Sequence, residues 1–196
     1  MAFRRFFLAL LLLPAAASAA ELEGVKLDNN ILVDGQALQL NGIGLRTRLY
    51  FKVYVGGLYF GKTVTTPQAA LDAKGAKRVI FVMMRDASAE QFVESIDESL
   101  RDNHKPEELA RVKQHTDALY SMIRNIKQAH KGMRIVLDFA PSNGGTTLSV
   151  NDVPQGSPMF GGEEYYRMLL RIWLGEFPAQ EELKRALLRP PMERKP

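Results

Sequence analysis

Between Asn41 and Phe60 the chain runs Gly42-Ile-Gly-Leu-Arg46 and then Phe51-Lys-Val-Tyr-Val-Gly-Gly-Leu-Tyr-Phe60. Aromatic and β-branched residues at this density suit a pleated, half-buried surface, whereas glycines weaken a helix. The segment therefore reads as a glycine-rich turn carrying Arg46 into a long strand. In that strand Leu49, Phe51, Val53 and Val55 alternate with Tyr50, Lys52, Tyr54 and Gly56, so the first set is expected on the core face and the second on the opposite face. Hydroxyls, one amine and missing side chains suit a sheet facing a ligand, and equally a sheet half open to water. Arg46 is then either a fixed cation at the mouth of an apolar sheet or a surface arginine flanking a core strand. The first reading matters chemically, because a guanidinium offers a planar fork of donors to a carboxylate or enolate.

The rest of the chain extends the same architecture. Turn residues at Asp28-Asn-Asn30 and Asp34-Gly35 divide the segment before residue 41 into consecutive antiparallel strands. Thr66-Pro67 opens a short helix. Lys77 to Arg85 is apolar on both faces and so belongs at the centre of a sheet. Ser88 and Gln91 form a capping box ahead of the stripe Phe92, Ile96, Leu100. One long helix is expected from Pro106 through Leu109, Val112, Leu119, Ile123 and Ile126, then strands over Met133 to Ala140 and Thr146 to Val150. Helices are expected at Tyr165 to Leu174, closed by Gly175, and at Pro178 to Leu188. Hairpins rather than alternating strand and helix indicate an α+β domain: a large antiparallel sheet covered by a layer of helices.

Residues 1–19 stand apart from that domain. Arg4 and Arg5, the apolar run Phe6 to Leu13 and Ala17-Ser18-Ala19 occur in the order of a cleavable secretory leader. The run falls short of the roughly 20 residues that span a bilayer, so no stable membrane span is expected after cleavage. The domain is placed at 20–189 and a frayed, basic, proline-containing tail at 190–196. A periplasmic or secreted protein is the expectation. Loss of Arg4 and Arg5 lowers the formal charge from +4 to +2, which argues against nucleic acid as a partner. Without cysteine there is no thiol chemistry or disulfide to consider.

Other chemistry finds little footing. His104, His115 and His130 lack ligand spacing to one another, so no metal site is expected, and each reads as a surface or helix-end residue. No phosphate loop, nucleophile elbow or dinucleotide fingerprint is present, and no cofactor is expected. The pairs Glu107-Glu108, Glu163-Glu164 and Glu181-Glu182 sit at expected helix starts, where negative charge complements the helix dipole. Trp173 falls on an apolar stripe with Leu169 and Ile172 and reads as core rather than ligand-stacking.

The motifs Gly42-Ile-Gly-Leu-Arg46 and Phe51 to Phe60, with Val79 to Ser99, Gly144-Gly-Thr-Thr-Leu148 and Arg171-Ile-Trp-Leu-Gly175, resemble chalcone isomerase and its non-catalytic fatty-acid-binding relatives, nearest to bacterial secreted members. The resemblance implies an open-faced sandwich. In the isomerases the arginine matching Arg46 binds a developing oxyanion during ring closure, assisted by a threonine, a tyrosine and an asparagine. Those positions fall here at Tyr54, Phe92 and about Ser99, and a phenyl ring cannot donate a hydrogen bond. In the fatty-acid-binding relatives an arginine and a tyrosine grip a carboxylate, which Arg46 and Tyr54 match. Phe92 and Ile96, with Met83 or Met84, would line the tail pocket or form ordinary core.

The resulting expectation is a ligand site of Arg46, Tyr54, Phe92 and Ser99 for a small amphipathic anion, a fatty acid or a flavonoid-like molecule, without catalysis. Two alternatives remain. One is an isomerase cyclising a chalcone-like enone, with Tyr50, Tyr54 or Tyr59 as substitute phenol. The other is a structural or partner-binding protein with a filled core.

Overall fold

The computed structural model describes residues 19–142, 144–157 and 161–189; the expected leader, except for Ala19, and the tail from 190 lie outside these residues. The chain begins with strands β1 (Ala19–Leu22), β2 (Val25–Asp28), β3 (Asn30–Val33), β4 (Gln36–Arg48) and β5 (Phe51–Phe60). Helix α1 (Pro67–Leu71), strand β6 (Lys77–Met83) and the two-residue β7 (Ala87–Ser88) follow. Then come α2 (Ala89–Asn103), α3 (Pro106–Arg111), α4 (Lys113–Ile126), β8 (Gln128–Ala129), β9 (Arg134–Ala140) and β10 (Gly145–Val150). The described chain closes with β11 (Val153–Pro154), α5 (Gly162–Leu174) and α6 (Glu181–Leu187).

Seven strands form one antiparallel sheet in the order β11-β10-β9-β6-β5-β4-β3. As its two-sided apolar pattern requires, β6 is the middle strand. Val79, Phe81 and Met83 pack into a core shared with Val93, Leu119, Leu169 and Leu183 of the helices. Ile80 and Val82 face the other side, where Leu27, Leu38, Leu40 and Tyr59 make a second, smaller core. The architecture is thus α+β, a large antiparallel sheet with a helical layer over one face.

Side-chain caps mark the starts of α1 and α2. Thr66 Oγ1 accepts the Ala69 N–H at 3.2 Å. Ser88 and Gln91 exchange hydrogen bonds of 3.0 and 3.2 Å, closing the capping box. The single helix expected from Pro106 is instead two, because Val112 takes φ −106° and ψ 8° between α3 and α4. A single bridge-region residue redirects the axis while leaving apolar spacing intact in each half, so periodicity cannot reveal it.

The strands around Arg46 also differ from expectation. Gly42 and Gly44 lie within β4 rather than in a turn, and the hairpin turn is Leu49-Tyr50. The register pairs Arg46 with Tyr54 but Thr47 with Lys52, leaving Val53 as an extra residue. This β-bulge breaks the alternation expected from Leu49 to Gly56. Tyr54, Gly56, Leu58 and Phe60 are the residues under the helices, while Leu49, Tyr50 and Phe51 are exposed.

The glycines of β4 seat the last helix. A Cβ on Gly42 would lie 2.4 Å from the carbonyl oxygens of Ala186 and Leu187, and one on Gly44 would lie 2.8 Å from Ala186 Cβ and Leu183 Cδ1. Glycine is required for that approach of backbone to backbone. Beside them Asn41, buried at a second irregularity of the β4–β5 pairing, donates to the Leu187 carbonyl at 2.9 Å and accepts from the Val64 N–H at 2.7 Å. The missing side chains on this face therefore admit α6 rather than a ligand.

Candidate functional site

Between the helix-covered face of the sheet and helices α2, α4 and α5 lies a cavity of about 370 Å³, within the range of small-molecule sites. The interior bounded by these residues is not filled, contrary to the filled core of the second alternative. Its deep wall is apolar and built from Phe81, Leu119, Ile135, Leu137, Leu148 and Ile172. Its exposed lining, at Arg48, Leu49, Phe51, Arg85, Asp86 and Gln91, marks the mouth. The bulge in β5 shapes the passage, since adjacent residues of a regular strand face opposite sides whereas Val53 and Tyr54 both line this cavity.

Arg46 is half-buried at the cavity wall. One of its terminal nitrogens donates to the Thr47 carbonyl at 2.7 Å and to Gln180 Oε1 at 3.4 Å. Gln180, the residue capping α6, also accepts the Thr47 N–H at 2.9 Å and donates to Thr47 Oγ1 at 3.1 Å. The guanidinium is thus positioned from one side and keeps donors on its Nε and other Nη, because five N–H groups are available to it. Among the described residues Arg46, Arg48 and Arg85 make no ion pair with a protein carboxylate. The carboxylate at the mouth, Asp86, is already held by the Lys131 N–H at 2.8 Å and His130 at 3.1 Å. The local field at the mouth is positive.

Tyr54 is buried directly opposite Arg46 in the ladder. Its hydroxyl oxygen accepts the Trp173 indole N–H at 2.9 Å, which fixes the lone pair toward the helix and leaves the phenolic proton available. Burial pushes the phenol up from its usual range; the Trp173 bond and the Arg46 charge pull it only partway back. The group is therefore a neutral donor at ordinary pH. Phe81 packs its ring between them, 4.8 Å from Tyr54 and 5.0 Å from Trp173, so the hydroxyl is held in place on an aromatic wall.

Phe92 and Ile96 line the cavity from α2. Ser99 does not: its hydroxyl donates to the Ser95 carbonyl at 2.8 Å, within its own helix. Met83 is buried in the core, and neither it nor Met84 lines the cavity. Of the substitute phenols, Tyr50 is 97% exposed at the hairpin tip, and Tyr59 lies on the other sheet face with its hydroxyl on the Asp28 carbonyl at 2.9 Å. Tyr54 is the one the fold places in the cavity. His104 is a helix-end residue but buried rather than exposed, its Nε2–H on the Met168 carbonyl at 3.2 Å.

A family description, chalcone isomerase-like, matches residues 19–189. The chain belongs to the chalcone isomerase-like family. Among solved structures this family member is similar to the crystal structure of a fatty-acid binding protein of Arabidopsis thaliana, with 14% identity, a TM-score of 0.66, and coverage of 87% of this chain and 96% of that one. At this identity the likeness is one of fold. No curated protein matches. Among the described residues, no helix is long and apolar enough to cross a membrane.

Sequence reasoning did not single out Gln180, Arg48 or Arg85, and it placed Trp173 in the core without its bond to Tyr54. A glutamine before the paired glutamates of α6 carries no signal of reaching residue 46. The indole offered one clue: a buried Trp N–H normally finds an acceptor.

Proposed function

We propose that this protein, periplasmic or secreted, binds a small amphipathic anion such as a fatty acid, without ring-closing catalysis. The carboxylate is received by Arg46 and the Tyr54 hydroxyl, and the hydrocarbon chain enters the apolar cavity. One observation carries the reading: a neutral phenol, its lone pair engaged by Trp173, stands across the ladder from a guanidinium with donors to spare at the head of a cavity with an apolar deep wall. The similar Arabidopsis structure, a fatty-acid binding protein, supports the ligand class. The export reading rests on Arg4, Arg5, the apolar run that follows and the Ala17-Ser18-Ala19 site.

The test is titration of the exported protein with dodecanoate, after lipid extraction and mass spectrometry of the material as purified. Arg46→Ala should weaken dodecanoate about ten- to a hundredfold, since a charge-assisted bond contributes about 1.5–3 kcal/mol. Tyr54→Phe should cost a smaller factor, about two- to tenfold. Equal affinity in Arg46→Ala and the parent would remove the head-group site.

The same donors suit the carbonyl of an enone, so Tyr54 keeps the isomerase reading in view. Phe92 argues against it, because it occupies the position the resemblance gives to the catalytic tyrosine. Incubation with a 2′-hydroxychalcone, followed by its visible absorbance, should show only the spontaneous rate of closure. Acceleration lost in Tyr54→Phe would establish the isomerase instead.

A further inference from the structure

The β4–β5 hairpin ends in three consecutive exposed large residues, Leu49 at 85%, Tyr50 at 97% and Phe51 at 56%. Single exposed apolar residues are ordinary, but a contiguous run at a loop tip marks a contact surface. Leu49 also adopts φ 55°, a region where glycine or asparagine sits comfortably and leucine is strained. The two-residue turn between the paired Arg48 and Phe51 requires that conformation, and a large apolar residue occupies it where glycine or asparagine would fit with less strain.

Basic groups surround the run. Arg48 immediately precedes it, Arg85 lies over the Phe51 ring at 4.6 Å, and both line the cavity mouth with Arg46. Lys52 is taken by Glu23 at 2.5 Å. Asp86 is held by His130 and the Lys131 N–H. Three guanidiniums without carboxylate partners among the described residues thus ring an apolar protrusion.

We propose that this hairpin tip docks the mouth of the cavity onto an anionic lipid surface. Leu49, Tyr50 and Phe51 enter the headgroup boundary, the level preferred by amphipathic aromatics, while Arg48 and Arg85 meet lipid phosphates. A protein partner would equally cover apolar residues, but the unpaired cations beside the tip complement a negative surface. Because Leu49 and Phe51 are themselves cavity lining, docking joins the apolar interior to the membrane, and an amphipathic anion passes between them without crossing bulk water. The proposal builds on the ligand-binding reading above by naming the place where the ligand enters.

The experiment is co-sedimentation of the exported protein, its leader removal checked by mass, with vesicles of phosphatidylcholine containing phosphatidylglycerol and of phosphatidylcholine alone. Binding to the anionic vesicles should exceed binding to the neutral ones at low salt and fall as salt rises. Tyr50→Asp should weaken it at least about tenfold, through loss of apolar insertion and gain of repulsion. In Tyr50→Trp, an added tryptophan signal should shift to the blue on vesicle addition and be quenched by brominated lipid. Dodecanoate affinity in vesicle-free buffer should be unchanged in Tyr50→Asp, since Tyr50 does not line the cavity.

Absence of anionic-vesicle binding, or binding indifferent to Tyr50→Asp, overturns the docking proposal. So does concentration-dependent self-association that Tyr50→Asp abolishes while vesicles have no effect, which would assign the tip to a second copy. If vesicles bind but Arg46→Ala leaves dodecanoate affinity intact, the docking surface stands and the head-group site falls.

Discussion

On replacing Gly42 with valine, the melting temperature should fall by roughly 6–12 °C, corresponding to about 3 kcal/mol or more in a domain of this size. The atoms an added Cβ meets are the Ala186 and Leu187 carbonyl oxygens, each at 2.4 Å. Backbone cannot rotate aside as a flexible side chain does, so α6 must lift from β4. Lifting it breaks the Asn41 bond to the Leu187 carbonyl and moves Gln180, the group bracketing Arg46 and Thr47. Dodecanoate affinity should therefore fall together with stability, although residue 42 does not line the cavity. Gly61→Ala is the control: its Cβ would meet nothing nearer than the Ala37 carbonyl at 4.0 Å, and thermal unfolding should be nearly unchanged. An unaltered melting temperature in Gly42→Val would contradict the docking of α6 described above.

Glu163→Ala should destabilise the protein by about 3 kcal/mol, the low end for removing one partner of a buried pair. Lys77, at the start of the central strand, has a side chain only 2% exposed. Its ammonium donates to Glu163 at 2.7 Å and to the Gly75 carbonyl at 3.0 Å, and lies 4.8 Å from the centre of the Phe139 ring. Glu163 is more exposed, which keeps the loss from being larger, although it is also shared with Lys74 at 2.7 Å, whose ammonium repels that of Lys77. Burial holds Lys77 below its ordinary value despite the bond it donates to Glu163. Burial also opposes the charge on Glu163, but the bonds from Lys74 and Lys77 prevail and hold its carboxyl below the usual 4.5.

A carboxyl with a depressed folded-state value adds stability above about pH 4.5 and loses it as the pH falls through the folded-state value. The stability gap between the parent and Glu163→Ala, followed by urea unfolding, should therefore close on acidification. Lys77→Met should be near neutral or stabilising, because it removes the buried charge together with its need for a partner. A Glu163→Ala protein as stable as the parent at pH 7 would show that the ammonium finds solvent.

The location of strands and helices was largely legible in local pattern. Polar turns set off the early strands, two-sided apolar runs placed β6 in the middle, and Ser88 with Gln91 announced α2. Each of those signals depends on neighbours within a few residues, where side-chain spacing and capping chemistry act directly. Arg46 stood out in the same local way, as a cation leading a β-rich stretch next to glycines, whereas Tyr54 became a candidate only through the family resemblance.

What brought them together at one cavity wall came from contacts distant in sequence. The bulge at Val53, hidden among residues apolar on either side of the break, decides which side chains turn inward. Trp173 reaches Tyr54 across 119 positions, and Gln180 reaches Arg46 across 134. Gly42 and Gly44, expected in a turn, instead seat α6 from within β4, while the cavity opens beyond them beneath α2. Whether a missing side chain becomes ligand space or a helix seat depends on which distant element packs there, and a linear pattern carries no record of that competition for volume.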